Sequence, residues 1–357
     1  MCFVERGGSL NTAYLDMIQG KNPGITPVWY MRQAGRSQAA YRKIKEKYTL
    51  FEITKQPELC AQVTELPVKE YGVDVAILYK DIMSPMVAIG VNVDIKPGVG
   101  PVFDTPIRRI EDIERLHTFD ATKVEYIAKT IELLTTEVLD VPLIGFCGAP
   151  FTIASYLIEG GPTKNYNKTR GMLISEPEIW NGLMEKLADM SIEYLSMQAR
   201  AGANALQIFD SWVGAVNSTE YEQAIFPHMK RIISTVKSRF PNLSLAMNGV
   251  GTDHLVSTWA KLPLDVIALD WRSSLGAAKD RGVTQTVQGN LDPAYLYGDT
   301  KTIAKVVDEI LMDGVRHGKH VFNLGHGVFP EADPAKLHWL TDYVHEKSRE
   351  LWARESR

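Results

Sequence analysis

The sequence predicts an α/β protein that forms a single (β/α)8 TIM barrel over residues 1–357, with a small hairpin insertion after the second strand. Three observations lead to this fold class. Eight short apolar or β-branched runs recur along the chain, and a segment with helical periodicity follows each of them. No GxGxxG or GxxxxGK[ST] phosphate loop marks a doubly wound sheet. Eight consecutive strand–helix units close most simply into a barrel.

The predicted strands are the runs rich in Val, Ile, Leu and aromatic residues. They are residues 27–31 (PVWYM), 75–79 (VAILY), 142–146 (PLIGF), 205–209 (ALQIF), 243–247 (LSLAM), 266–270 (VIALD), 286–290 (TVQGN) and 320–324 (HVFNL).

The predicted helices are the stretches whose apolar residues recur with a period near 3.6. They are residues 53–71, 123–138, 177–201, 218–239, 252–260, 274–281, 301–316 and 334–351. Asp120, Ser175 and Asp333 are predicted to precede helix starts. The insertion is predicted from the alternation at 91–95 and a turn at 97–98, the Pro97-Gly98 pair.

Composition and charge narrow the function classes. The chain is 45% hydrophobic and 23% charged, which is typical of a globular domain with a large core. Its formal net charge is −4, so no overall positive field favours nucleic acid or an anionic membrane. Two prolines and two glycines interrupt the uncharged stretch 141–158, which indicates a buried strand, a turn and a helix start rather than a membrane span.

The cysteines and the N-terminal residues indicate a cytoplasmic protein. Cys2, Cys60 and Cys147 are odd in number and contain no CxxC pair, which favours a reducing compartment over a disulfide framework. The first residues contain charges and no apolar run long enough for a signal peptide.

Active sites of (β/α)8 barrels lie at the C-terminal ends of the strands, so polar residues after the predicted strands are the candidates. These are Arg32, Arg36, Asp81, Tyr156, Ser211 and His326. Arg32 and Arg36, four positions apart, can pair bidentately with carboxylates or phosphates, or can form structural salt bridges.

The remaining candidates each have two interpretations. Asp81 either neutralises the arginines or accepts N–H groups from a ligand. Ser211 lacks a GxSxG elbow, so it is a hydrogen-bond donor to a ligand or a helix cap rather than a nucleophile. His326, between two glycines, is a structural residue or a ligand and proton-transfer group.

Zinc chemistry is disfavoured by the residue pattern. The eight histidines include no HExxH and no His-x-Cys. His317 and His320 are expected on a solvated connection before the last strand. No metal site is therefore predicted.

The motifs PVWYMRQAGR, ILYKDI, GFCGAPFTIASYLIEGG, IFDSW, LDW, QGNLDP and FNLGHGVFP resemble those of the uroporphyrinogen decarboxylase family, from about residue 10 to about residue 347. The resemblance implies a homodimeric barrel of heme biosynthesis. Such an enzyme converts uroporphyrinogen III to coproporphyrinogen III, removes four CO₂ molecules and uses no metal or organic cofactor.

The resemblance also assigns roles to residues of this chain. It implies that Arg32 and Arg36 bind carboxylates and that Asp81 accepts hydrogen bonds from the pyrrole N–H groups. It implies a catalytic set of Asp81, Arg32, Tyr156 and His326. The implied substrate contacts are Arg32, Gln33, Ala34, Gly35, Arg36, Phe51, Ile77, Asp81, Phe146, Tyr156, Phe209, Ser211 and His326.

One segment departs from the family pattern. The family usually continues RQAGR with Tyr-Leu-Pro-Glu, whereas this chain has Ser37, Gln38, Ala39 and Ala40. The packing of the arginine loop therefore has to come from the structure. Two other functions stay open from the sequence: a zinc-dependent corrinoid or folate methyltransferase of similar fold, and a tetrapyrrole carrier without catalytic activity.

Overall fold

The fold is described from a computed structural model, which covers residues 10–96 and 100–355. Its strands are β1 (Ala76–Ile77), β2 (Asp94–Lys96), β3 (Gly100–Val102), β4 (Leu143–Gly148), β5 (Ala205–Asp210), β6 (Ser244–Gly249), β7 (Val266–Ala268), β8 (Thr286–Gln288) and β9 (His320–Val321). Its helices are α1 (Ala13–Ile18), α2 (Ala39–Lys45), α3 (Leu50–Thr54), α4 (Pro57–Tyr71), α5 (Ser84–Ala88), α6 (Ile110–Glu114), α7 (Glu125–Leu133), α8 (Pro150–Glu159), α9 (Asn167–Ser175), α10 (Pro177–Arg200), α11 (Ser218–Ala224), α12 (Phe226–Arg239), α13 (Val256–Trp259), α14 (Thr300–His317) and α15 (Pro334–Glu355).

A curled parallel sheet forms the centre of the fold. Over the described ranges it has seven strands in the order β1-β4-β5-β6-β7-β8-β9, and each of them matches a predicted strand. Residues 27–31, the remaining predicted strand, lie between the two edges of this sheet. Val28 forms an isolated parallel bridge with Phe322, and its carbonyl accepts a hydrogen bond from the backbone N–H of Asp74 at 2.8 Å. This segment therefore takes the place of the eighth strand and closes the predicted barrel.

Residues 27–31 do not form a regular strand because side chains take part of their backbone hydrogen bonding. The N–H of Val28 donates to Asp74 Oδ2 at 2.7 Å, and the N–H of Met31 donates to Asn323 Oδ1 at 2.9 Å. These side-chain bonds replace the ladder bonds that a neighbouring strand would provide.

The predicted insertion is present after β1. β2 and β3 pair antiparallel, with Asp94 opposite Val102 and Lys96 opposite Gly100. The predicted turn residues Pro97 and Gly98 lie outside the described residues.

Most predicted helices are present, but four expectations need correction. The stretch 53–71 is divided into α3 and α4, since Pro57 begins a new helix. The stretch 218–239 is likewise divided into α11 and α12, with Pro227 in the first turn of α12. Ser175 does not begin a helix: it is the last residue of α9, and Glu176 precedes α10. The predicted helix 274–281 is wrong: only a 3-10 turn at Lys279–Arg281 forms there. The amide of Asn290 donates to the carbonyl of Ser273 at 2.8 Å, so a side chain occupies the acceptor that would begin this helix.

The barrel interior is filled by side chains rather than open. Trp29, Ile77, Ile144, Phe146 and Phe209 belong to one buried cluster on the barrel axis. His320 is buried in β9 with its Nε2 2.7 Å from the carbonyl oxygen of Gly289, and burial lowers its pKa to about 4. His317 is also buried, so the expectation of a solvated histidine pair is wrong. Within the described residues, no helix has the length and apolar character needed to cross a bilayer.

Candidate active site

A cavity of about 630 Å³ opens at the C-terminal ends of the barrel strands. It collects side chains that are far apart in sequence, as expected at this face of a barrel. The predicted contact residues that line it are Arg32, Gln33, Ala34, Gly35, Arg36, Ile77, Asp81, Phe146, Tyr156, Phe209, Ser211 and His326. Phe51 does not line it, whereas its neighbour Leu50 does, because adjacent helical positions point about 100° apart.

The loop that carries the two arginines is held in an uncommon backbone conformation. Arg32 has φ = 58°, in the left-handed region that side chains other than glycine adopt rarely. The next residue fixes this turn: Gln33 Oε1 accepts the N–H of Tyr30 at 3.0 Å, and Gln33 Nε2 donates to the carbonyl of Val75 at 3.2 Å. Both bonds are buried, so the predicted contact residue Gln33 also ties the loop to the barrel.

Gly327 provides the space for the Arg32 side chain. A Cβ atom on Gly327 would lie 2.5 Å from Arg32 Cδ and 2.9 Å from Arg32 Cγ. Any larger residue at this position would therefore displace the arginine. The glycine after His326 has a second function beyond the flexibility that the sequence suggests.

The departure at residues 37–40 has a local explanation. Ser37 Oγ lies 3.1 Å from the hydroxyl oxygen of Tyr71, and Gln38 Nε2 donates to Glu70 Oε2 at 2.7 Å. Both partners end helix α4, and Arg42 Nη1 donates to the carbonyls of Arg36 and Ser37 at 2.8 Å. Hydrogen bonds to α4 and α2 thus anchor the arginine loop in this chain.

The two cavity arginines form no ion pair with any carboxylate in the described residues. Neither Arg32 nor Arg36 forms an ion pair or a side-chain hydrogen bond with a residue in the described ranges. Partial burial and, to a smaller extent, the neighbouring Arg36 lower the pKa of Arg32. The structural salt bridge considered from the sequence is therefore absent among these residues, and both guanidiniums face the cavity.

Asp81 lines the cavity and is held there by donors of its own segment. Its Oδ1 accepts the N–H of Met83 at 2.5 Å, and its Oδ2 accepts the hydroxyl of Ser84 at 3.1 Å. Burial raises the pKa of Asp81, and the adjacent Lys80 offsets part of that rise. Each carboxylate oxygen keeps further acceptor capacity, so the group can receive N–H donors from a ligand.

Lys80 is a cavity residue that the sequence-based selection missed. Its Nζ donates to the carbonyl of Phe146 at 2.6 Å and lies 3.6 Å from the centroid of the Phe146 ring. Burial lowers the pKa of Lys80 to about 7. Its position directly before Asp81 in the motif ILYKDI was the signal that could have identified it.

The opposite wall carries Tyr156, Ser211 and His326. The Tyr156 ring lies over Trp212, with centroids 3.9 Å apart, and burial raises the pKa of Tyr156 to about 12. Ser211 does not cap the following 3-10 turn, whose first flanking residue is Trp212. Burial lowers the pKa of His326, and Arg32 lowers it further. The imidazole is therefore largely neutral at pH 7.

A second acidic side chain lies behind this wall. Asp210 is fully buried at the end of β5, and its Oδ1 accepts the hydroxyl of Thr152 at 2.8 Å. Its Oδ2 has no partner among the described residues, and burial raises the pKa of Asp210 to about 7. Asp210 does not line the cavity. Across residues 10–96 and 100–355, no three His, Cys, Asp or Glu side chains group as metal ligands.

Comparison with known families gives a match over nearly the whole chain. The family model described as uroporphyrinogen decarboxylase matches residues 9–347. A uroporphyrinogen decarboxylase of Geobacillus sp. (strain WCH70) is 56% identical over 337 residues, which cover 94% of this chain and 97% of the relative. The protein of that name from Bacillus subtilis (strain 168) is 56% identical over 347 residues, covering 97% and 98%.

Solved structures of lower sequence similarity share the fold. A methyltransferase from Methanosarcina mazei superposes with a TM-score of 0.78 at 16% identity, covering 95% of this chain and 99% of that one. A B12-independent methionine synthase from Shewanella sp. W3-18-1 gives a TM-score of 0.55 at 12% identity, with coverages of 84% and 89%. At these identities the likeness concerns the barrel architecture alone.

Proposed function

The chain belongs to the uroporphyrinogen decarboxylase family, and we propose from this premise that the cavity between Arg32 and Asp81 is its substrate site. The chain is a carboxy-lyase that converts uroporphyrinogen III to coproporphyrinogen III by four decarboxylations of acetate side chains. The open questions are which residues bind the substrate and which stabilise the transition state.

The observation that carries the site assignment is the arrangement of charge in one cavity. Two guanidiniums without described ion pairs share it with a carboxylate fixed by two internal donors. The substrate has carboxylates around its edge and pyrrole N–H groups at its centre. Arg32 and Arg36 suit the edge because a guanidinium pairs bidentately with a carboxylate, and Asp81 suits the centre.

The reaction needs an electron sink because loss of CO₂ from a pyrrole acetate would otherwise leave a poorly stabilised carbanion. Protonation of the adjacent ring carbon makes the pyrrole cationic, and the electrons of the breaking C–C bond then flow into that ring. Protonation of the exocyclic methylene and loss of the ring proton complete the methyl group. The residues around the cavity must therefore stabilise a cation and deliver a proton.

Asp81 stabilises the cationic ring in this scheme. Its carboxylate is already held by Met83 and Ser84 before the substrate arrives, so little reorganisation accompanies the charge that develops. Electrostatic groups of this kind commonly contribute about 3 kcal/mol each to lowering the barrier.

The other cavity residues position the macrocycle. Phe146 and Phe209, whose rings meet edge to face at 5.2 Å, form an apolar wall together with Ile77. Ser211 and Tyr156 offer hydroxyls to substrate carboxylates, and His326 offers a neutral imidazole beside Arg32. Ala34 and Gly35 shape the arginine loop, and Phe51 lies outside this contact set.

The family resemblance also supports a homodimer in the cytoplasm that acts without a cofactor and without nucleic acid. A solution mass near twice that of one chain, measured by light scattering, is the expected result for the dimer. A mass equal to one chain would contradict it.

The assay for the function is anaerobic incubation with uroporphyrinogen III, followed by oxidation and separation of the products by carboxyl number. We expect the eight-carboxyl substrate to become a four-carboxyl product without an added methyl donor. A carrier would return all eight carboxyls unchanged. A methyltransferase would require a methyl donor and would leave the carboxyl count unaltered.

A further inference from the structure

Lys80 lines the proposed substrate cavity, although the residue roles proposed above do not use it. It lines the cavity next to Asp81, and its Nζ lies 3.6 Å from the centroid of the wall residue Phe146. That ring also lines the cavity, so Nζ lies beside the cavity wall. The flexible four-carbon stem of lysine allows Nζ to turn toward the cavity.

The amine keeps hydrogen-bonding capacity for a ligand. Within the described ranges, Nζ donates one hydrogen bond, to the carbonyl of Phe146 at 2.6 Å, and no carboxylate forms an ion pair with it. An ammonium carries three N–H donors, so two of them have no acceptor in this part of the chain.

The surroundings of Lys80 bring its pKa close to neutral pH. Four side chains from different elements surround the amine. They are Asp81 before α5, Cys147 on β4, Cys60 on α4 and Tyr194 on α10. Burial among them lowers the pKa of Lys80 to about 7, while the coulombic effect of Cys147 and Asp81 opposes this change. Both protonation states are then present at pH 7, which is the condition for efficient proton transfer.

The other candidate donors are less well matched to this task. The pKa of Tyr156 is about 12, so its phenol gives up a proton reluctantly. Burial keeps His326 largely neutral, and a guanidinium such as Arg32 is a poor acid near pH 7. Lys80 is the cavity residue that combines a free N–H with a suitable acidity.

We propose that Lys80 is a catalytic residue that donates the proton consumed in each decarboxylation. This inference rests on the proposed substrate site. In each cycle an N–H bond of the ammonium breaks and a C–H bond to the ring carbon beside the acetate forms. The C–C bond to the carboxylate breaks, its electron pair enters the cationic pyrrole, and CO₂ leaves. Water then protonates the exocyclic methylene, and the hydroxide left behind takes the added proton from the ring carbon. The products are a methyl group, CO₂ and neutral Lys80, which the solvent reprotonates before the next cycle.

The experiment compares Lys80→Met, Lys80→Arg and Lys80→Ala with the wild type and with Lys301→Met, an exposed lysine substitution on α14. We expect kcat to fall about 100-fold or more in all three Lys80 variants, with KM within threefold of wild type. Added methylammonium or ethylammonium should restore part of kcat in Lys80→Ala, since a small amine can occupy the vacated space. Lys301→Met should match the wild type.

Two results would overturn the proposal. Near-normal kcat in Lys80→Arg would show that positive charge alone suffices. A folded Lys80→Ala enzyme that no amine rescues would limit Lys80 to positioning Phe146.

A measurement on the wild type keeps the test independent of variant folding. The kcat of the wild type should decline as pH rises through about 7, because the protonated amine is the active form. A kcat that stays constant to pH 9 would contradict the proposal. If the wild type does not decarboxylate uroporphyrinogen at all, the proposed function fails instead.

Discussion

Arg32 depends on the residue that faces it across the arginine loop. Replacing Gly327 by alanine would bring a methyl group to 2.5 Å from Arg32 Cδ, so the guanidinium would have to leave its position. We expect Gly327→Ala to lower kcat/KM for uroporphyrinogen about tenfold or more, since a displaced catalytic or binding group commonly costs that much. Steady-state kinetics measure this effect.

Gly171 on α9 provides the matched control, because a Cβ there would meet no heavy atom within 4 Å. Gly171→Ala should leave kcat/KM unchanged and add about 0.5–1 kcal/mol of stability from helix propensity. Equal kinetics for the two variants would disprove the dependence of Arg32 on Gly327.

In the proposed site, Asp81 acts through its charge rather than its shape. Asp81→Asn keeps an oxygen that can accept the N–H of Met83 but removes the negative charge that we propose stabilises a cationic pyrrole. We expect kcat to fall about 100- to 1000-fold with a small change in KM. Ser84→Ala removes one donor to the carboxylate and leaves its charge, so its kcat should fall by less than about tenfold. A loss in KM equal to the loss in kcat would assign Asp81 to binding alone.

Asp210 makes stability depend on pH. Its folded-state pKa of about 7 lies above the ordinary value, so the protonated form is stabilised by folding, and that stability is lost as pH rises through about 7. Relative to wild type, Asp210→Asn should gain roughly 3 kcal/mol in free energy of unfolding between pH 5 and pH 8. Denaturant unfolding at several pH values measures this difference.

A substitution without an acid gives the reference for that experiment. The difference in unfolding free energy between Gly171→Ala and wild type should be the same at pH 5 and pH 8. If the Asp210→Asn difference is equally independent of pH, the buried acid does not titrate as described.

At single residues, the sequence identified six polar cavity residues because polar side chains after barrel strands converge at one face, and the family resemblance supplied six more lining residues. Asp81 and Arg32 were found in this way. Lys80 was missed because the selection took one polar residue after the strand and because burial, which gives the amine its altered acidity, is a tertiary property. Phe51 was placed in the contact set by resemblance, and its helix turns it away from the cavity.

At the scale of elements, Asp74 joins three parts of the barrel wall. Its carboxylate accepts the N–H of Val28, the amide of Asn11 at 3.1 Å and Nε2 of His345 at 2.7 Å, and it is 3% exposed. Asp74→Ala would leave these donors without their acceptor. We expect a loss of about 3–5 kcal/mol in the free energy of unfolding, measured by denaturant titration.

An exposed ion pair serves as the control for that loss. Lys129 pairs with Glu125 at 3.0 Å on the surface of α7, and Lys129→Ala should cost less than about 1 kcal/mol. If Asp74→Ala lowers the free energy of unfolding by a similarly small amount, the contacts around Val28 do not depend on this carboxylate.

Strands and helices that depend on their own sequence were predictable. Segments whose backbone binds side chains from distant parts of the chain were not. The apolar runs located the strands from β4 to β9 because buried parallel strands need continuous hydrophobic sequence. The helix expected at 274–281 failed because Asn290, from a different strand end, takes the carbonyl of Ser273. Residues 27–31 have strand-like sequence, yet Asp74 and Asn323 replace part of their ladder.

At the scale of the whole molecule, the last helix secures the first strand segment. Ser348 Oγ accepts the N–H of Thr26 at 2.9 Å, and Trp352 Nε1 donates to Thr26 Oγ1 at 3.1 Å. A chain that ends at residue 347 keeps nearly the full family match but loses both contacts and the burial of Trp352. We expect it to be about 3 kcal/mol or more less stable, measured by denaturant unfolding.

A chain that ends at residue 353 isolates the cause. It retains Ser348 and Trp352 and should unfold like the full chain. If both shortened chains match the full chain, Ser348 and Trp352 do not hold the segment. The barrel itself was predictable from the count of strand–helix units. The hydrogen bonds of Thr26 to Ser348 and Trp352 were not, because no local sequence pattern marks them.

The seam between Val28 and Phe322 has a consequence for synthesis in the cell. Arg32 follows one side of this seam and His326 follows the other, so the pocket cannot assemble while the final strand is still inside the ribosome. The cavity therefore takes its shape only near the end of synthesis, after the segment that carries His326 has left the ribosome.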